Sequence, residues 1–104
     1  MNMSELNKIA LKILSNGKGI LAADESTGTM TKRLESVNVP SSSENRLLFR
    51  KTLFSSDSMK NCIGGVILYD ETIKQTIDSK KKIPELISST GALPGIKVDT
   101  GAKV

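Results

Sequence analysis

The sequence predicts an α/β protein built on a parallel sheet, and two observations support this prediction. Three short apolar segments, at about residues 19–24, 63–69 and 95–99, have the continuous or alternating hydrophobicity of strands. Segments in which apolar residues recur at helical intervals separate them. Strands that alternate with helices are typical of parallel sheets, because each parallel pair needs a long crossover connection.

The composition is that of one small globular domain. The chain has 104 residues, of which 38% are hydrophobic and 25% are charged. Aromatic residues make up only 3%, so we expect a thin core of aliphatic side chains. The net charge is +4, and the basic run Lys80–Lys82 has no aromatic residues interleaved with it. This pattern favours a solvated loop over nucleic-acid binding.

Several classes of chemistry are excluded by residues that the sequence lacks. Histidine is absent, so Ser-His-Asp and Cys-His catalysis cannot occur within these 104 residues. The single cysteine, Cys62, has no metal-ligand companions and is predicted to be a small buried hydrophobe. Lys8 and Lys12 interrupt the apolar positions of residues 3–16. We therefore expect neither a signal peptide nor a membrane span, which favours a cytoplasmic protein.

The first two predicted elements are an amphipathic helix and a strand. Apolar residues recur at helical intervals over residues 4–15, and Gly17 is well placed to end this helix. The apolar run at residues 19–24 is too short for a helix between glycines, as is typical of a parallel strand covered on both faces. It brings Asp24 to the carboxyl end of the strand.

Two helices are predicted between the first and second strands. The first extends from Thr29, a candidate N-cap, to about Val37, and Pro40 separates it from the next element. The segment Ser41–Glu44 offers a capping box to the second helix. The apolar positions of that helix are Leu47, Leu48, Phe49, Leu53 and Phe54.

The remainder of the chain completes a strand, helix, strand pattern. Residues 63–69 are the strongest strand candidate, because β-branched and apolar residues run continuously there. Shorter elements are expected at residues 72–77 (a helical turn), 80–82 (a loop) and 83–89 (a helix with Pro84 in its first turn). No helix follows the third strand at residues 95–99, which leaves an unpaired edge. We therefore expect a fragment of a larger protein.

One carboxylate and one amine are predicted to meet at the carboxyl ends of the strands. Alternation places Ala22 and Asp24 on the same face of the first strand, and Lys97 opposite its neighbours in the third. If both polar side chains point inward, they converge where α/β barrels hold their active sites. The alternative is a structural ion pair between Asp24 and Lys97.

A second group of residues suits the binding of a phosphate. Ser26, Gly28 and Thr29 precede or open a helix whose free amides and dipole favour anions, and Arg33 lies one turn further along. Ordinary turn chemistry and an N-cap explain the same residues equally well. Both interpretations remain open from the residues alone.

Six blocks of the sequence, in order and spacing, together resemble the N-terminal part of class I fructose-bisphosphate aldolase. The similarity extends from about Glu5 to Gly101. The blocks are Gly17–Gly28, Lys32–Leu34, Glu44–Arg46, Cys62–Leu68, Glu71–Thr72 and Gly95–Asp99.

This resemblance implies a fold and a reaction. The fold is an eight-stranded parallel (β/α)8 TIM barrel, of which residues 1–104 would form an incomplete domain with the N-terminal helix and the first three strands. The family's enzymes act in glycolysis and gluconeogenesis and reversibly cleave fructose 1,6-bisphosphate into dihydroxyacetone phosphate and glyceraldehyde 3-phosphate. A lysine amine forms a Schiff base with the ketone carbon, and the protonated imine is the electron sink. The resemblance implies no metal or organic cofactor.

The resemblance also implies roles for individual residues. Asp24 matches the active-site aspartate beside the Schiff-base lysine. Ser26 matches a phosphate-binding serine, Thr29 stands where many members have serine, and Arg33 matches a substrate-binding arginine. Lys97 matches a lysine that contacts the phosphate of the glyceraldehyde half. The Schiff-base lysine and the acid–base glutamates come from later strands of the family fold, so we expect this chain alone to be inactive.

The expected partners follow from the same resemblance. They are fructose 1,6-bisphosphate and the triose phosphates, the missing C-terminal part of the barrel, and further copies in a homo-oligomer, since the family forms tetramers. Neither nucleic acid nor a membrane is expected. Two other functional hypotheses remain: a non-catalytic phosphosugar-binding module and a purely structural fragment without a ligand.

Overall fold

The structure of the chain, a computed structural model, describes residues 2–77 and 81–100. Its helices are α1 (Met3–Ile13), α2 (Thr27–Glu35), α3 (Ser43–Phe54), α4 (Ser58–Cys62), α5 (Asp70–Lys74) and α6 (Ile83–Ser89), with a 3-10 turn at Ser15–Gly17. Its strands are β1 (Gly19–Ala23), β2 (Ile63–Leu68), β3 (Thr76–Ile77), β4 (Lys81–Lys82) and β5 (Leu93–Ile96).

A three-stranded parallel sheet organises the fold. Its strand order is β1-β2-β5, so β2 is central and the other two strands are edges. Leu68 pairs with Ala23 on one side and with Ile96 on the other, which aligns the carboxyl ends of all three strands. The α/β class and the parallel pairing predicted from the sequence are therefore confirmed. Strands β3 and β4 form a separate antiparallel pair.

The core lies between one face of this sheet and the helices. Val66 and Leu68 of β2 are buried there beside side chains from α3, α4 and α6. The fully or nearly fully buried partners from those helices are Phe54, Met59, Ile83 and Ile87. As the composition indicates, this core is aliphatic apart from a single phenylalanine.

The opposite face of the sheet is only partly covered. Helix α1 approaches β2 so closely that a Cβ on Gly64 would lie 1.7 Å from the Ile13 carbonyl oxygen, and only glycine is accommodated there. None of the residues of α1 is buried. Ile20 of β1 is 55% exposed, so the prediction that this strand is covered on both faces is wrong for this chain.

Several predicted boundaries differ from the structure. The third strand spans Leu93–Ile96 rather than residues 95–99. The alternation of residues 95–99 placed the strand too far along the chain, and its true first half contains Pro94, which is tolerated because β5 is an edge strand. The Lys97 amide still donates to the Leu68 carbonyl at 2.8 Å, so the pairing with β2 extends to the site residue.

The middle of the chain contains more regular structure than predicted. Lys81 and Lys82 pair as β4 instead of forming a loop, and Lys80 lies outside the described residues. Helix α5 ends at Lys74, before β3 begins, so the helical turn predicted for residues 72–77 is too long. Cys62 is exposed at the end of α4, which corrects the expectation of burial. Helix α4 has only five residues, too few for a helical periodicity to be visible in the sequence.

The caps of α2 and α3 also differ from those predicted. Ser26, not Thr29, is the N-cap of α2. Ser42 is the N-cap of α3 and accepts from the Asn45 amide, so the N-cap lies one residue after the start of the capping box predicted at Ser41–Glu44. The Asn45 side chain donates to the Pro40 carbonyl, so the reciprocal contact of a capping box is not made. In both cases the side-chain hydroxyl satisfies an amide that has no partner within its helix.

Candidate functional site

The carboxyl edge of the sheet brings Asp24 and Lys97 together. Asp24 directly follows β1 and Lys97 directly follows β5, and β2 lies between these strands. Lys97 Nζ donates to Asp24 Oδ2 at 3.3 Å. Their side chains are 25% and 23% exposed, respectively, so water reaches both groups. The convergence predicted from the alternation pattern is present in the structure.

Lys97 has a second carboxylate partner that the sequence interpretation missed. Its Nζ donates to Asp99 Oδ1 at 2.9 Å. The hydrogen bond to Asp99 is the main cause that raises the pKa of Lys97; burial opposes it, and Asp24 adds to it. Residues two apart in extended backbone lie on the same side, so the spacing of Lys97 and Asp99 was a signal that could have identified this contact.

Ser26 and Thr29 form the hydroxyl-lined start of α2. The Thr29 amide donates to Ser26 Oγ at 3.3 Å, and the two hydroxyl oxygens are also 3.3 Å apart. Gly28 and Thr29 are exposed, and a Cβ on Gly28 would meet nothing within 4 Å. An N-cap is therefore present, and the first turn of the helix is open to an incoming anion.

Arg33 lies beside the loop between β1 and α2 and pairs with Glu25 of that loop, a residue that the sequence interpretation did not single out. Its Nη1 donates to the Glu25 carboxylate. The Arg33 side chain is 57% exposed, whereas that of Glu25 is 14% exposed. In this structure Arg33 is thus anchored beside the loop that carries Asp24 and Ser26, with its side chain reaching solvent.

Two buried arginines of α3 lie behind the site. Arg50 Nη2 donates to the Glu25 carbonyl at 2.5 Å. Burial is the main cause that lowers the pKa of Arg50, and the carboxylates of Glu25 and Glu71 oppose it. Arg46 forms a two-point contact with Glu71, with Nε and Nη2 each 2.8 Å from a carboxylate oxygen. Sequence patterning missed both arginines because they occupy helix positions normally filled by apolar residues.

The arrangement suits a hydroxylated, negatively charged ligand. Asp24 can accept or orient a proton, and the cation of Lys97 and the open start of α2 can bind anionic groups. Lys97 itself is poorly suited as an amine nucleophile, because nucleophilic lysines need a lowered pKa and its pKa is raised. Within residues 2–77 and 81–100, no group of three or more His, Cys, Asp or Glu side chains could hold a metal ion.

Across residues 2–77 and 81–100, no helix combines the length and the apolar character needed to cross a bilayer.

Comparisons with known proteins agree on one family. A sequence model of the family described as Fructose-bisphosphate aldolase class-I matches residues 5–104. The chain is 53% identical over 98 residues to fructose-bisphosphate aldolase A of Salmo salar, covering 93% of this chain and 27% of that protein. It is 55% identical over 98 residues to a non-muscle type fructose-bisphosphate aldolase of Lethenteron camtschaticum, with the same coverage. The chain therefore spans about a quarter of the length of these relatives.

A solved structure agrees with the sequence relatives. Fructose-bisphosphate aldolase from Plasmodium falciparum superposes with a TM-score of 0.88 at 40% sequence identity. The match covers 94% of this chain and 28% of that one.

Proposed function

This chain belongs to the class I fructose-bisphosphate aldolase family, and on that premise we propose that it supplies part of the active site of a fructose-bisphosphate aldolase. The reaction is the reversible cleavage of fructose 1,6-bisphosphate into dihydroxyacetone phosphate and glyceraldehyde 3-phosphate, in glycolysis and gluconeogenesis. The 3.3 Å contact between Asp24 and Lys97 at the carboxyl edge of the sheet carries this proposal. Catalytic residues of α/β barrels lie at that edge.

Asp24 has the proton-handling role in this proposal. Its carboxylate orients the amine that forms the Schiff base and helps to move the proton of the hydroxyl beside the cleaved bond. The nucleophilic lysine is proposed to belong to later strands of the family fold, because no lysine of this chain occupies that lysine's motif in the family. The 104-residue chain alone is accordingly proposed to be inactive and to give no adduct with dihydroxyacetone phosphate and borohydride.

The remaining site residues bind the phosphates. Lys97 contacts the phosphate of the glyceraldehyde half. The hydroxyls of Ser26 and Thr29 and the guanidinium of Arg33 contact substrate at the start of α2, where the helix dipole also favours an anion. To do so, Arg33 exchanges or shares its contact with Glu25, which its largely exposed side chain permits.

The wider context is proposed from the same family membership. Residues 1–104 form an incomplete domain of a (β/α)8 barrel, and the rest of the barrel covers the exposed face at Ile20. The complete protein is a cytoplasmic homo-oligomer, a tetramer as in the family. The reaction needs neither a metal nor an organic cofactor, because the imine itself accepts the electron pair of the cleaved bond.

A chimaeric enzyme tests the proposal. This chain replaces the matching N-terminal segment of Salmo salar fructose-bisphosphate aldolase A, with which it shares 53% identity, and cleavage of fructose 1,6-bisphosphate is measured. We expect turnover within about tenfold of the parent enzyme. A folded chimaera that binds triose phosphate without cleaving substrate would favour a non-catalytic phosphosugar-binding module. One that neither binds nor cleaves would favour a structural fragment.

A further inference from the structure

The buried guanidinium of Arg50 is poorly paired for a charge in its position. Its residue is 1% exposed, and its Nε and Nη1 atoms have no hydrogen-bond partner among the described residues. Burying a charge is costly, and unpaired polar groups add to that cost. A hydrophobic side chain here would serve stability better, so the arginine calls for a functional explanation.

The hydrogen bond that Arg50 does make is to the loop that carries Asp24 and Ser26. Its Nη2 donates to the carbonyl oxygen of Glu25 at 2.5 Å, and the same nitrogen lies 3.7 Å from the Glu25 carboxylate. That carbonyl belongs to the planar peptide that joins Glu25 to Ser26. Holding it restrains the backbone at Glu25 and Ser26 directly, and at Asp24 through its covalent link to Glu25.

Glu25 also contacts Arg33. One oxygen of the Glu25 carboxylate accepts from Arg33, while the other is buried without a hydrogen-bond partner among the described residues and faces Arg50 across 3.7 Å. Glu25 therefore lies between a buried arginine and an exposed one. A displacement of Arg50 would release the backbone carbonyl of Glu25 and leave its carboxylate held by Arg33 alone.

We propose that Arg50 is a positioning residue that holds the loop between β1 and α2 through the Glu25 carbonyl and thereby orients Asp24 and Ser26 for the reaction. This inference rests on the proposed function for its catalytic consequence, but the restraint on the loop is independent of it. Preorganisation of this kind matters because small misplacements of reacting groups cost large factors in rate.

Arg46 provides a matched control on the same helix. It lies one turn before Arg50, is also buried, and makes a charge-assisted contact. Its carboxylate partner is Glu71 of α5, not the loop that carries Asp24. Arg46→Met removes a buried arginine from α3 without touching the Glu25 carbonyl.

The test combines amide hydrogen exchange with kinetics in the chimaera described above. Arg50→Met is expected to speed amide exchange at residues 24–27 about tenfold and to lower kcat about tenfold or more. Arg50→Lys is expected to recover part of the slow exchange and part of kcat. Arg46→Met is expected to speed amide exchange in α5. Its exchange rates at residues 24–27 and its kcat should stay within about twofold of those of the unsubstituted chimaera. Because a lysine can still donate to the carbonyl, rescue by Arg50→Lys separates positioning from simple filling of space.

Two results would overturn the inference. One is unchanged exchange at residues 24–27 in Arg50→Met. The other is an Arg46→Met variant that matches Arg50→Met in both loop exchange and kcat. If the loop loosens as expected but the unsubstituted chimaera does not cleave substrate, the proposed function fails and the restraint on the loop stands.

Discussion

Lys97 Nζ lies 3.3 Å from Asp24 Oδ2, although 73 residues separate them in the sequence and strand β2 lies between their strands. The contact exists because the parallel register aligns the carboxyl ends of β1 and β5 with that of β2. Neither side chain is fully buried. A partly hydrated ion pair contributes little to stability, which supports the proposal that this pair belongs to a site.

Asp24→Asn in the chimaera is expected to lower kcat by about 10²-fold or more, as is typical for loss of a general acid–base group. The amide keeps the shape of the side chain but loses its charge and basicity. The KM for fructose 1,6-bisphosphate should change much less, because the effect is on the reaction step. Steady-state kinetics measure both constants. If turnover stays intact while the melting temperature falls, Asp24 is part of a structural pair.

Lys97→Met is expected to act mainly on binding. Loss of this cation should raise KM for fructose 1,6-bisphosphate by about ten- to a hundredfold, a typical loss for a charge-assisted contact. Lys74, whose exposed amine pairs with Asp70 at 2.9 Å, is the control. Lys74→Met should leave KM within about twofold. Equal effects of the two substitutions would refute a substrate contact by Lys97.

The Arg46–Glu71 pair predicts a specific dependence of stability on pH. The hydrogen bond from Arg46 is the main cause that lowers the pKa of Glu71 below its ordinary value of 4.5. A carboxyl with a depressed folded-state pKa contributes stability above its unfolded pKa and loses it as pH falls through the folded value. Glu71→Gln should therefore reduce the free energy of unfolding at pH 7 by about 1.5–3 kcal/mol.

Urea denaturation of the chimaera and of its Glu71→Gln variant at pH 7 and pH 3 measures that difference. It should shrink at pH 3, because this pH lies below the ordinary value of 4.5, so the unfolded carboxyl binds a proton that the folded one resists. Asp70→Asn, which removes an exposed pair within one helix, should have only a small effect at either pH. A difference of the same size at both values of pH would mean that Glu71 acts through packing and not through its charge.

The isolated chain is expected to be marginally stable and prone to associate. Both β1 and β5 are unpaired on one side within the described sheet, and large apolar side chains such as Ile20 and Ile96 are exposed. Exposed apolar edges favour association. Size-exclusion chromatography and calorimetry should show concentration-dependent association and a broad transition. A monomer with a sharp two-state melt would indicate an independent module instead.

The sequence predicted the elements whose signals are local. The strand at Ile63–Leu68 is a continuous apolar run, and α3 follows a run of serines that supplies its N-cap. The convergence of Asp24 and Lys97 followed from alternation and from the rule that parallel strands end at one edge. These inferences need only backbone periodicity.

What the sequence could not predict depends on tertiary contacts. Pro94 lies inside β5, and only the edge position of that strand, a tertiary feature, makes a proline there tolerable. Arg50 occupies a buried position because the carbonyl of Glu25 lies within its reach, and the two residues are 25 apart in sequence. A contact of that separation between a charged side chain and a backbone atom leaves no periodic pattern.

The position of a trapped substrate tests the central claim most directly. The chimaera is reduced with borohydride in the presence of fructose 1,6-bisphosphate, and the crystal structure of the adduct is determined. We predict that the Asp24 carboxylate lies within hydrogen-bond distance, about 3 Å, of a sugar hydroxyl or of the reduced amine, and that Lys97 contacts the phosphate of the glyceraldehyde half. An adduct beyond the reach of both side chains, with their ion pair intact, would contradict the assignment of this site.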